Sequence, residues 1–137
     1  MIPRAHQALN DLIGRIGMRV MPELTNPYTL ADTGLISLLM TMLGVELESG
    51  VARRMADAED LKALFERAQA APGAEARAAF IASRPASLTL TDTTAWTDQG
   101  LKLLIDLHSW AEEADQALNA EIWQFLSVHT DRHKFDL

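Results

Sequence analysis

Leu35-Ile36-Ser37-Leu38-Leu39-Met40-Thr41-Met42-Leu43-Gly44-Val45-Glu46-Leu47 is the stretch whose reading decides the fold. Only Ser37, Thr41, Gly44 and Glu46 interrupt its apolar side chains. It is shorter than the roughly 20 apolar residues of a membrane span. It reads instead as a helix buried on most of its circumference, with the rest of the chain wrapped around it.

Upstream, Asn26-Pro27 supplies an N-cap and a proline at the first helical position. Downstream, the apolar spacing survives Gly50 through Val51, Met55, Ala58, Leu61 and Phe65. One long helix over about 27–70 follows. Its second half is expected to be wet on the side of Arg53, Asp57, Asp60, Lys62 and Glu66. There Arg53–Asp57 and Lys62–Glu66 form i,i+4 pairs worth a few tenths of a kcal/mol each.

Before it, Ala5, Leu9, Leu12, Ile13, Ile16 and Val20 make the stripe of a helix over about 4–21, which Pro22 ends. After it, Pro72-Gly73 breaks the chain, and Phe80 and Ile81 anchor a short helix over about 74–83. A second long helix is predicted over about 93–130, with a core row running from Trp96 through Leu107 and Leu118 to Phe125. The expected fold is an all-α antiparallel helical bundle, a single domain over 1–137, with two long and two shorter helices.

Composition narrows the function classes. The 137 residues carry 19 acids against 12 bases, a net charge of −7. An acidic surface repels phosphate backbones, so no nucleic-acid partner is expected. The absence of cysteine excludes disulfides and thiolate chemistry and fits a reducing cytoplasm. No signal-peptide h-region opens the chain and no membrane span is read, so a cytoplasmic protein without a membrane partner is expected.

Catalytic signatures are missing. There is no G-x-S-x-G, no H-E-x-x-H and no E-x-x-H pair, and Gly14-Arg15-Ile16-Gly17 lies within a helix. His129 and His133 have the i,i+4 spacing of the histidine pair in metal-binding four-helix bundles. The long helix 2 carries no histidine to complete such a set. The pair sits beside Asp131, Arg132 and Lys134, and reads as solvated.

Two glutamates stand out by angle. At about 100° per residue, Glu46 falls on the apolar side of helix 2, and Glu121 falls between Leu118 and Phe125. A hairpin of helices 1 and 2 brings His6 level with about Met42 to Glu46. His6, Glu46 and Glu121 in one layer would suit a divalent metal, or a hydrogen-bonded polar cluster. Trp96, Trp110 and Trp123 with the methionines could line an apolar ligand pocket, or simply fill a core.

Two long helices with only two short covers leave apolar surface that a second copy would bury, so a homodimer is expected. The leading functional expectation is a non-enzymatic helical interaction or assembly module with no obligatory cofactor. The alternatives are the metal-binding bundle and the apolar-ligand bundle.

Overall fold

The structure, a computed structural model, describes residues 4–135. It is all-α. Helix α1 spans Ala5–Arg15 and continues as one π-helical stretch, Ile16–Val20, and a 3₁₀ turn, Met21–Glu23. Helix α2 spans Pro27–Arg67, α3 Ala74–Ala82, α4 Leu90–Ala114 and α5 Gln116–His133. The chain divides into two compact units, one ending at Gly50 and the other beginning at Val51, with the boundary inside α2.

In the first unit the start of α2 is capped as its sequence requires: Asn26 Oδ1 accepts from the backbone N–H of Tyr28 at 2.9 Å. Helix α1 seats on the small, polar seam of α2. A β-carbon placed on buried Gly44 would lie 3.5 Å from Leu9 Cδ2, an ordinary contact. The seam tolerates this because its hydroxyls are satisfied within the helix. Ser37 Oγ donates to the Thr33 carbonyl, and Thr41 Oγ1 to the Ser37 carbonyl, each at 3.0 Å. His6 comes level with Thr41 to Ser49, as the hairpin register predicts.

The opposite face of α2 corrects the expectation of a buried helix. Leu35, Ile36, Leu38, Leu39, Leu43 and Leu47 are all exposed, Leu39 by 50% and Leu43 by 58%. One α1 partner covers only the seam, at about 180–260° from Leu35 at 100° per residue, and leaves the apolar arc open.

The second unit holds the core. Leu61, Leu64 and Phe65 of α2 pack with Phe80 of α3, Trp96, Leu104 and Leu107 of α4, and Ile122 and Phe125 of α5. Phe80 meets Phe65 edge-on at 5.8 Å and stacks on Trp96 at 5.6 Å. The buried indole is satisfied, Trp96 Nε1 donating to Ser83 Oγ at 2.7 Å.

The second long helix is divided. Asp115 closes α4 and caps α5, its Oδ1 accepting from Leu118 N–H at 3.0 Å. His108 of α4 then reaches Asn119 of α5 at 3.1 Å. Asp57 meets His133 while Arg67 meets Glu121, so α5 runs antiparallel to the second half of α2.

Gly100 of α4 faces Phe80 and Leu61 at close range. A β-carbon there would fall 2.5 Å from Phe80 Cζ and 2.9 Å from Leu61 Cδ1. Alanine gains about 1 kcal/mol in helix propensity. Overpacking a buried, stacked ring costs about 1–3 kcal/mol. Gly100→Ala is therefore expected to lower stability in urea unfolding, against the direction that helix propensity alone gives.

Candidate functional site

The histidine pair at the end of α5 faces inward. One turn apart, His129 and His133 share a helix face, and their rings lie 4.6 Å apart. That face meets α2 at Asp57, whose side chain is fully buried. His133 Nε2 lies 2.5 Å from Asp57 Oδ2, and His129 Nδ1 lies 3.1 Å from the same oxygen. Arg132 takes the other oxygen, its Nη1 donating to Asp57 Oδ1 while Nη2 donates to Asp60 Oδ2 at 2.7 Å. The two carboxylate oxygens thus have different tasks: Oδ1 is tied to a guanidinium and Oδ2 faces two imidazoles.

Both sequence expectations for this region need correction. His129 and His133 are half-buried, not solvated, because the antiparallel course of α5 lays them on α2. Asp57 is not on the wet face. It stands four residues before Leu61 and seven before Leu64, on the core stripe itself.

Burial pushes the Asp57 carboxyl up. The hydrogen bond from His133, the Arg132 guanidinium and the nearby His129 outweigh burial and hold it below its ordinary value of 3.8. The same burial would pull Arg132 down, but Asp60 and Asp57 raise it. The cluster is therefore a charged group at neutral pH. A cavity of about 200 Å³ opens beside it, lined also by Arg54, Thr94, Thr97 and Asp98.

The two glutamates singled out by angle, and His6 placed by the hairpin register, lie elsewhere. His6 sits on α1 in the first unit with Asn10 Nδ2 at 3.4 Å from its Nε2, and borders a cavity of about 230 Å³ with Thr41, Gly44 and Glu48. Glu46 is half-buried on α2 in the same unit. Glu121 lies in the second unit at the rim of the core, 43% exposed, and accepts from Arg67 Nε at 2.6 Å. Among the described residues, the one set of three potential metal ligands that converges is Asp57, His129 and His133.

The tryptophans are dispersed. Trp96 is core with Lys62 Nζ 5.0 Å over its ring. Trp123 is exposed and meets His108 edge-on at 5.3 Å. Helix α2 is also, by length and composition, long and apolar enough to cross a membrane, with a window of mean hydropathy 1.5 that is 11% buried. No family model, curated protein sequence or solved structure matches the chain.

Proposed function

We infer that the protein is a helical assembly module whose first unit pairs with a second copy through the apolar arc of α2. The observation that carries this reading is the exposure of Leu35, Ile36, Leu38, Leu39, Leu43 and Leu47 on one continuous face. Together they leave apolar surface on the order of 600 Å² in water, the upper end of what a monomer's largest patch exposes. It is also most of the roughly 800 Å² that one partner contributes to a standard interface. A Leu-rich helix face against its own copy, beside α1 of each hairpin, gives a four-helix layer of ordinary packing.

A lipid surface is the competing occupant, and two features weigh against it. The leucine-rich part of the exposed arc, Leu35 to Leu47, rises only about 18 Å, short of the roughly 30 Å hydrocarbon core, although α2 as a whole is long and apolar enough to cross it. Helix α1, held on the seam of α2, and its π-helical continuation would carry Asp11, Arg15 and Arg19, all exposed, towards the bilayer interior. Each ionised side chain there costs about 2.5–3.5 kcal/mol even on the lenient insertion scales.

The double substitution Leu39→Glu with Leu43→Glu tests the reading. Both positions are half-exposed within one chain, so the helical circular-dichroism signal is expected to survive. Light scattering on the size-exclusion peak is expected to give twice the chain mass for the wild type and one chain mass for the variant. A variant that stays dimeric, or wild-type protein that floats with phosphatidylcholine vesicles, overturns the proposed occupant.

A further inference from the structure

We propose that Asp57, His129 and His133 form a binding site for a divalent transition metal of the zinc class, with Asp57 Oδ2, His129 Nδ1 and His133 Nε2 as its ligands. The three ligand atoms lie within 4.8 Å of one another. A metal about 2.0–2.2 Å from each nitrogen and oxygen needs ligand atoms separated by roughly 3.3 Å. His129 Nδ1 at 3.1 Å from Oδ2 is already near that spacing. His133 Nε2, at 2.5 Å, moves outward by less than 1 Å to reach it.

The orientation of His129 points the same way. Its Nδ1 atom is buried and lies 3.1 Å from Asp57 Oδ2, an ion-pair distance outside good hydrogen-bond geometry. A metal held between the two would take a lone pair from each.

The surroundings suit a cation. Arg132 binds only Oδ1 and is itself tied to Asp60, so it fixes the carboxylate plane and leaves Oδ2 for the metal. A hydrogen-bonded outer oxygen is the usual support of a ligating carboxylate. Asp57 and Asp60 against Arg132 leave one net negative charge with neutral imidazoles. Of the other groups on the adjoining cavity, Asp98 and Arg54 carry opposite charges. Two imidazoles and one carboxylate disfavour calcium and magnesium, which take oxygen ligands, and suit first-row transition metals such as zinc, iron, nickel and copper. The cavity of about 200 Å³ beside the ligands leaves room for water or a small anion in the fourth position.

The test is calorimetric titration of zinc into full-length protein purified without a histidine tag and stripped with chelator. Cobalt is titrated in parallel, because tetrahedral cobalt absorbs in the visible. The wild type is expected to bind one metal per chain, with visible cobalt absorption and a raised Tm. His129→Gln and His133→Gln are each expected to weaken binding by at least about tenfold and to remove the cobalt band. Both keep a polar side chain at half-buried positions, and circular dichroism checks that they fold. His6→Gln and His108→Gln serve as controls and are expected to bind as the wild type does. Absence of saturable binding by the folded wild type overturns the proposal. So does binding that survives both α5 substitutions, or binding lost in either control.

Discussion

Asp57→Ala is expected to destabilise the metal-free protein by about 3–5 kcal/mol, because removing one partner of a buried ion cluster strands the others. Asp57 is fully buried, and its two oxygens serve three cationic or polar side chains of α5. Arg132 keeps Asp60 as a partner, which places the loss towards the lower end of that range. Asp57→Asn keeps the volume and one acceptor oxygen, so a smaller loss is expected. Acid reproduces part of the effect. The carboxyl is held below its ordinary value of 3.8 in the folded chain, so the folded state binds the proton later than the unfolded state does. Its contribution is complete above that value and disappears as pH falls through the lower, folded-state pKa. Urea unfolding with chelator at neutral and acid pH is expected to show a wild-type loss that Asp57→Asn lacks. A cost below about 1 kcal/mol for Asp57→Ala, at the ordinary level of a single substitution, would show that the cluster does not hold α5 on α2.

Arg77→Met is the second large effect, expected at about 3–5 kcal/mol. The Arg77 side chain is almost wholly buried in α3 and closes the C-terminal end of α2. Its Nη2 donates to the carbonyls of Ala68 and Ala71 at 2.7 and 2.8 Å, and its Nη1 to that of Pro72 at 2.6 Å. Those carbonyls lie in the turn between α2 and α3, where that of Ala68 also accepts from Ala71 N–H at 3.2 Å and that of Ala71 belongs to a buried residue. A charged donor is worth about 1.5–3 kcal/mol per hydrogen bond, and each carbonyl stranded in the core costs about 1–3 kcal/mol. Methionine fills the aliphatic volume, so the cavity contribution is small and the measured loss reports the capping. Relief from burying the charge, which lowers the Arg77 pKa, keeps the net loss below the sum of three bonds. Arg77→Lys is expected to recover little, since an ammonium does not reproduce the guanidinium fork. Urea unfolding of the three proteins distinguishes these outcomes. A loss below 1 kcal/mol for Arg77→Met would remove the cap from the account.

The helices were legible where local chemistry fixes them. Asn26-Pro27 opens α2 and Pro72-Gly73 precedes α3, because caps and φ restrictions act within a few residues. The break at Asp115 was hidden because the apolar spacing runs through it from Leu107 to Leu118. The visible signal was an Asp three residues before Leu118, placed to cap. The exposure of α2 has a different reason for escaping the sequence. An apolar run shows that a face avoids water, but not whether the same chain, a second copy or lipid covers it. The small seam of Ser37, Thr41 and Gly44 was the side that admits a close helix, and α1 occupies it.

The cluster at Asp57 was only half legible. The i,i+4 spacing of His129 and His133 places them on one face whatever the fold. Their inward orientation depends on the antiparallel return of α5, which no local pattern contains. Asp57 shares the stripe of Leu61 and Leu64, but its i,i+4 relation to Arg53 gave an equally regular solvated reading. Glu121 lies close to the core row by angle, yet the long Arg67 side chain meets it at the rim.

The central claim is that a second copy covers the apolar arc of α2, and sedimentation equilibrium of the wild-type chain over a dilution series tests it most directly. The account predicts twice the chain mass at tens of micromolar, with dissociation towards one chain mass on dilution. A single chain mass throughout, with the protein folded and soluble, would contradict it.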